Sequence, residues 1–435
     1  MMIEIKRVDT ASLRRQFIEL PNKLYKDTPF WVPMFRSEAK KLAKGEGSLV
    51  FDNGPHELYI ALKGRQVVGR VAVGIEEVLN KRKDYKHAYF TLFESINDKQ
   101  VAQALLDTCL KWAKEKGMVY LKGPVSPTNG DDYRGLLVEG YDKTPAVLMP
   151  YHHPYYREFF EDYDEYLKYW AYKHDLNSPV PEKSKQMMKK IAITYGDYTP
   201  KQVEAMSVEA LSDVICQVVF EKRGYISESV NLKTKKSTEQ VVEDVYAIMN
   251  ESYPDIWEED LVAPTKDEVR EMVKELKIVI DPGMAIIAKK EGKPIGVILA
   301  VPDINEGIKK AKGKILPTGW YHILKSKKDT KIARGVILFV VKAYQRQGIP
   351  GFLMLKLRKN LKQLGFQQME LSSISAMNDT MNGVYQWLDL KVVKHYIVYG
   401  KSVTGEALGL EEIYGNAAEK VRLFQQKHKK EQVAG

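Results

Sequence analysis

Tyr344-Gln345-Arg346-Gln347-Gly348-Ile349-Pro350-Gly351-Phe352-Leu353 is the stretch on which the fold of this chain turns. Before it runs Val336-Ile337-Leu338-Phe339-Val340-Val341, β-branched and aromatic, with the character of a buried strand. After it, Leu353, Leu355, Leu357, Leu361 and Leu364 form an apolar-periodic run that stops at Gly365. A strand therefore ends in a polar, glycine-containing turn, and the turn opens a helix. Amides at a helix start have no partner inside the helix and carry the positive end of its dipole. Such a turn is a ready site for a phosphate or pyrophosphate. Pro350 suits the first helical turn, although it removes one donor that a phosphate would use. Taken alone, a glycine-containing strand-to-helix turn is also ordinary structure.

The residues that follow point further. Gly365 to Ile374 reads as a second strand, Asn378 is followed seven residues later by Tyr385, and Tyr396-Ile397-Val398-Tyr399 reads as a last strand. The order Gln-x-x-Gly-x-Pro resembles the pyrophosphate loop of the GNAT acetyltransferase superfamily, Gln/Arg-x-x-Gly-x-Gly/Ala, with Pro350 in place of the last small residue. The Asn378–Tyr385 spacing is also similar to that family, whereas Asp389-Leu390 stands where Gly-Phe is usual. The resemblance implies direct transfer of an acyl group from an acyl-CoA, acetyl-CoA in the simplest case, to an amine. It implies strand amides from about Val340 and Val341 for the thioester carbonyl and the pantetheine arm. It places the pyrophosphate on the amides of Gln345, Arg346, Gln347, Gly348 and Gly351, with the Arg346 charge beside them, and hydrogen-bonds the pantetheine arm to Asn378. Tyr385 is the implied general acid for the leaving thiolate. A phenol with a reference pKa near 10 is matched closely enough to a thiol near 8.5 for that step. The chain has 25 tyrosines, so the residue type alone would say nothing.

The chain has 435 residues, enough for two or more domains, and 44% apolar content, enough for real cores. Its longest apolar run, 336–341, is far short of a membrane span. The start Met1-Met2-Ile3-Glu4-Ile5-Lys6-Arg7 has no apolar signal segment, and Cys109 and Cys216 form no redox or metal spacing. These features point to the cytoplasm. The net charge of +10 suits a polyanionic cosubstrate or a lysine-rich solvated surface, with clusters at Lys233-Thr-Lys-Lys, Lys325-Ser-Lys-Lys and Lys427-His-Lys-Lys. No nucleic-acid-binding motif accompanies it.

The N-terminal part reads in the same order as the C-terminal part. Strands at 57–62 and 66–73 join at Lys63-Gly64-Arg65, and a third lies at His87–Phe93. A helix spans Asp98–Lys116, a strand Met118–Lys122, a short helix Pro150–Asp162, and a last strand Glu165–Asp175. The expected architecture is α/β, an α+β mixed sheet in two tandem GNAT-like domains. Residues 1–176 are the first, 177–228 a partly helical linker, and 229–435 the second, with the acyl-CoA site. The first copy has Glu94-Ser-Ile-Asn-Asp-Lys where the loop would be, and carboxylates at a helix start repel pyrophosphate, so it is read as lacking CoA binding. Leu121-Lys-Gly-Pro-Val-Ser-Pro, Gly135-Leu-Leu-Val-Glu-Gly and Met149-Pro-Tyr-His-His-Pro-Tyr-Tyr are similar to a group of bacterial tandem GNAT-like proteins, which carries no substrate over to this chain.

No general base stands out. Glu370 lies on the strand beside the cleft, and Glu251, Asp255, Glu258, Glu259 and Asp260 form an acidic stretch where a cationic amine could be held or where a loop is merely solvated. His152 and His153 are adjacent and lack the spacing of a metal site, so no metal is expected. No Gly-x-Ser-x-Gly or Gly-x-x-x-x-Gly-Lys-Ser/Thr motif is present, which sets hydrolase and P-loop readings aside. The expectation is an N-acetyltransferase-like enzyme acting on a small-molecule or peptide amine, with pairing into a homodimer open. The alternatives are a tRNA-dependent aminoacyl or long-chain acyl transferase of tandem GNAT type, a lipid N-acyltransferase touching the membrane through 417–430, and a non-catalytic ligand-binding protein.

Overall fold

The computed structural model describes residues 2–128, 130, 132–253, 256, 257 and 259–434. Its strands are β1 (Ile3–Arg7), β2 (His56–Lys63), β3 (Gln66–Gly74), β4 (His87–Ser95), β5 (Tyr120–Gly123), β6 (Leu136–Glu139) and β7 (Asp164–Asp175), then β8 (Tyr225–Ser229), β9 (Ala285–Lys290), β10 (Lys293–Pro302), β11 (Ile332–Val340), β12 (Gln368–Ser375) and β13 (Lys391–Ser402). Side-chain caps fix where helices begin. Asp98 accepts from the amides of Gln100 and Val101 ahead of Lys99–Glu115, and Thr265 closes a capping box with Glu268 ahead of Lys266–Val279.

One sheet runs β1-β2-β3-β4-β5-β13-β7-β12-β11-β10-β9-β8, with β6 on β13. Its two halves repeat one plan, antiparallel pairing followed by a short parallel pair, β4 with β5 and β11 with β12. The fold is thus a tandem of two α/β units, as the sequence order predicts. The closing strands differ from that prediction. Read from the sequence, Glu165–Asp175 closes the first copy and Tyr396–Tyr399 the second. In the structure they are exchanged: β13 lies beside β5 and β7 beside β12, and the two pair with each other from Lys391↔Lys173 to Gly400↔Asp164. Side chains follow the exchange. Tyr172 of β7 packs in the core of the second unit, and Ile397 and Tyr399 of β13 pack in the core of the first. A strand apolar on both faces fits beside either parallel pair, so its own residues do not choose between them.

Two segments between repeated elements matter for the site. The first strand of the second unit, β8, begins inside the segment read as linker and ends at Ser229, the first residue assigned to the second unit. The rest of that segment packs along the helix Ile349–Gln363: Phe220 stacks on Phe352 at 4.6 Å, and Lys359 pairs with Asp213 at 2.7 Å. Between β10 and β11 two helices are inserted, Asn305–Ala311 and Gly319–Asp329, which the sequence reading does not foresee. They bear on the first unit, where the Arg36 amide donates to the Gly313 carbonyl at 2.8 Å and Lys309 Nζ donates to the Pro29 carbonyl at 2.9 Å.

Candidate active site

The turn before Ile349–Gln363 is built as a concave run of amides. Arg346 and Gly348 both have left-handed backbone, with φ of +61° and +82°. Gln345 Nε2 donates to the Val340 carbonyl at 3.2 Å, Gln347 Nε2 to the Ala343 carbonyl at 2.9 Å, and Tyr225 donates its hydroxyl to Gln347 Oε1. Side chains therefore hold the turn open. Among the described residues the amides of Arg346, Gln347, Gly348 and Gly351 donate to no protein acceptor. A side chain at Gly351 would meet nothing within 4 Å, so that flank is open. Two amides read from the sequence as donors are already engaged. The Gln345 amide donates to the Lys342 carbonyl at 3.1 Å and the Val341 amide to the Ile295 carbonyl at 3.0 Å, because the chain turns after the strand sooner than its apolar run suggests.

Below this turn the parallel pair opens. β11 and β12 pair from Ile332↔Gln368 to Gly335↔Leu371 and then part. At that point β11 bulges: Gly335 faces Ala300 and Ile337 faces Leu299, which leaves Val336 without an opposite residue. A bulge re-aims a peptide out of the ladder. The re-aimed strand amides thus lie at Val336, four residues before Val340 and five before Val341. Val340 itself contributes a carbonyl capped by Gln345.

Where the two strands part, buried charge collects. Arg334, fully buried, donates to the Ser372 carbonyl at 3.2 and 3.3 Å, to the Val147 carbonyl at 2.9 Å and to Asp132 at 3.1 Å. Arg134 donates to Glu259 at 2.7 Å and to Ser373 Oγ at 3.0 Å, and its guanidinium lies 3.9 Å from the Tyr169 ring centre. Glu370, whose facing the strand pattern leaves open, turns toward Lys394 at 3.6 Å, on the same side as Arg334. Burial, with Asp132 and Glu275 nearby, pushes Glu38 up to about 7. Burial also pushes Asp303 up to about 6, against the hydrogen bonds it accepts from the amides of Asn305 and Val147. Glu38 and Asp303 are missed by sequence reasoning, since each becomes special only through residues far away in the chain.

Two residues of the acidic stretch, Glu259 and Asp260, are engaged by cations of the first unit. Glu259 is paired with Arg134, and Asp260 with Lys122 at 2.6 Å, inside a ring of Tyr85, Tyr89 and Tyr166. Burial lowers Lys122 to about 8 even though Asp260 opposes the shift. Arg82 adds bonds to the carbonyls of Leu261 and Tyr253. The first unit thereby grips this segment of the second. Glu251 is exposed, and Asp255 and Glu258 lie outside the described residues.

Tyr385 and Asn378 are on the helix Asp379–Trp387 and at its start. Tyr385 is buried in the cluster that contains Val340 and Phe352, edge-on to Tyr172 at 5.1 Å, and burial raises its hydroxyl above the usual phenol range. Asn378 Oδ1 accepts from the Met381 amide at 3.0 Å and so caps the helix, which leaves its Nδ2 for a ligand.

In the first unit the corresponding opening is packed. β4 parts from β5 after Tyr89↔Lys122, and the rings of Phe90, Phe93 and Phe160 fill the space, Phe90 to Phe160 at 6.0 Å. The helix start that would face a phosphate is capped by Asp98, which also pairs with Lys63. A cavity of about 110 Å³ remains beside β4, where the register with β3 shifts between Arg70↔Glu94 and Ala72↔Thr91, and it is lined by Phe17, Trp31, Arg70, Leu92, Glu94 and His152 among others. Glu94 accepts there from Tyr25 at 2.8 Å and Tyr156 at 2.6 Å. His152 accepts from the Leu137 amide at 3.2 Å, a structural role.

Residues 242–389 match the model of the acetyltransferase (GNAT) family. The chain is 26% identical over 408 residues, 91% of its length and 96% of the relative's, to a protein named bacterial ceramide synthase from Caulobacter vibrioides (strain NA1000 / CB15N). It is 26% identical over 404 residues, 89% of its length and 93% of the relative's, to protein YghO of Escherichia coli (strain K12). Among solved structures, a GCN5-related glucosamine N-acetyltransferase region of a fungal multi-domain GH3 beta-N-acetylglucosaminidase superposes with a TM-score of 0.50 at 12% identity, covering 92% of this chain and 38% of that one.

Proposed function

We propose, from the premise that the second unit belongs to the GNAT acyltransferase family, that this chain transfers an acyl group from acyl-CoA to the primary amine of a long-chain amino alcohol. The observation that carries the transfer reading is the parting of β11 from β12 beneath four free amides, those of Arg346, Gln347, Gly348 and Gly351. The pyrophosphate would lie on those amides and beside the Arg346 charge, and the pantetheine arm along the unpaired edge of β11 with Asn378 Nδ2 in reach. The amine class is supported by the relative named bacterial ceramide synthase, since a ceramide is an amide of such an amino alcohol. Acetyl-CoA, the donor implied by the family motif, is the short-chain arm of the same reading.

In this reading the amine nitrogen attacks the thioester carbonyl carbon, the C–S bond breaks, and the thiolate leaves. The amide re-aimed at the Val336 bulge stabilises the oxyanion. Glu38, held near neutrality, takes the proton that the amine loses. Tyr385, the acid implied by the family pattern, gives a proton to the departing thiolate, a transfer that its burial makes more uphill than for an ordinary phenol. The test is calorimetric titration with acetyl-CoA and with decanoyl-CoA, beside Gly348→Glu, followed by thiol release on adding a long-chain amino alcohol. Binding by wild type that the variant loses, with amine-dependent thiol release, supports the reading. Failure to bind either donor overturns it, and release with acetyl-CoA and short amines alone overturns the lipid acceptor.

A further inference from the structure

We infer that the helix pair inserted between β10 and β11 docks this protein on an anionic lipid bilayer. The inference stands on its own surface and does not depend on the acyl-transfer reading.

The surface is built from one continuous segment. Ile315, Leu316, Trp320, Tyr321 and Leu324 are exposed, between 45% and 75% of each. They are neighbours in space as well as in sequence. The Trp320 amide donates to the Ile315 carbonyl at 2.8 Å, and the indole N–H donates to the Pro317 carbonyl at 3.0 Å. The one polar group of Trp320 is thus satisfied within the segment, so its ring can enter an apolar phase without abandoning a hydrogen bond. On the helix Gly319–Asp329, Trp320, Leu324 and Tyr321 share an exposed arc with Lys328 and Lys325. Aromatic and aliphatic side chains mixed with lysine along one arc form the pattern of a helix lying in a membrane interface.

Charge selects the partner. Residues 305–331 hold eight lysines against Glu306 and Asp329. Lys309 and Lys327 pair with Glu306 and Asp281. Lys310, Lys312, Lys314, Lys325, Lys328 and Lys331 are exposed and have no carboxylate partner among the described residues. An anionic headgroup layer with hydrocarbon beneath it satisfies both features at once. A second copy of the chain does not, because a two-fold contact would set this lysine cluster against itself. No helix among the described residues is long and apolar enough to cross a membrane, so the contact is superficial.

The platform is fixed to the body of the protein. Besides the Arg36–Gly313 and Lys309–Pro29 bonds, Ile304, Ile308 and Ile323 pack in one cluster with Val336 and Ile337 at the bulge. Docking would therefore present a membrane-borne molecule next to the point where β11 and β12 part.

The test is co-sedimentation of the full chain with phosphatidylcholine vesicles, with and without phosphatidylglycerol, at low and high salt. Two variants accompany it, Leu316→Ser/Trp320→Ser and Lys325→Glu/Lys328→Glu, each with circular dichroism to check folding. Wild type is expected to pellet with the phosphatidylglycerol vesicles in a salt-sensitive way, and each variant to bind at least about tenfold more weakly. Absence of wild-type binding, or binding unchanged in both variants, overturns the proposal. Loss in the lysine variant alone reduces the surface to charge adsorption and overturns insertion. Self-association of wild type that the apolar variant abolishes, without vesicle binding, assigns the patch to a second copy instead.

Discussion

Arg346→Gly separates a residue kept for a ligand from one kept for the fold. Arg346 has φ of +61°, its side chain is exposed, and no ion pair holds it among the described residues. A side chain in left-handed backbone costs about 1–2 kcal/mol, and a glycine replacing it returns about 0.5–1 kcal/mol of that through its freer unfolded chain. The variant should therefore unfold in denaturant at the same free energy or up to about 1.5 kcal/mol higher. The turn would persist, since Gln345, Gln347 and Tyr225 hold it. Affinity should move the other way. A charge-assisted hydrogen bond to a phosphate is worth about 1.5–3 kcal/mol, so the dissociation constant for CoA should rise by about tenfold to a hundredfold. Urea unfolding followed by circular dichroism and calorimetric titration with CoA read the two effects on one preparation. A variant that is less stable and binds CoA as wild type does would refute the reasoning, because Arg346 would then be serving the fold.

Four further outcomes are expected. Tyr385→Phe should slow turnover about a hundredfold with CoA affinity unchanged, and calorimetry with steady-state thiol release would detect any other split. For Glu38, raised to about 7, kcat/KM should climb as pH rises through that value, and Glu38→Gln should flatten the profile. The same shift has a stability sign. A carboxyl group raised in the folded state favours folding below its unfolded pKa and loses that contribution as pH rises through about 7, so Glu38→Gln should be the more stable form at pH 8, by at most about 3 kcal/mol. Lys122→Met should cost about 3–5 kcal/mol because it strands Asp260 in a buried site, and adding Asp260→Asn should recover part of the loss; equal stability of single and double variants in urea would argue against the pairing.

What was legible in the sequence is what local chemistry dictates. Gly348 with Pro350 marks a left-handed turn entering a helix, and the structure has that turn with that helix start. The β2–β3 and β9–β10 hairpins announce themselves by alternating strands around glycine turns. The repeat is legible because the same order of elements occurs twice. The inserted helices escaped because their lysine-rich, thinly apolar pattern lacks the periodicity of a buried face.

The sequence by itself determined the order of elements, the glycine turn that opens a helix and the two-unit plan, since each depends on neighbours within a few residues. Tertiary structure alone decided which unit each closing strand completes. Tyr172 and Tyr399 are equally apolar in sequence, and only the packing of the whole sheet sends each to the opposite core. Tertiary structure also decided the charged groups of the site. Arg334 and Asp132 are 202 residues apart and ordinary in composition, and the buried guanidinium meets the half-buried carboxylate only when the first unit folds over the parting of β11 and β12. Charge burial and strand choice depend on distant partners, and a chain states those only by folding.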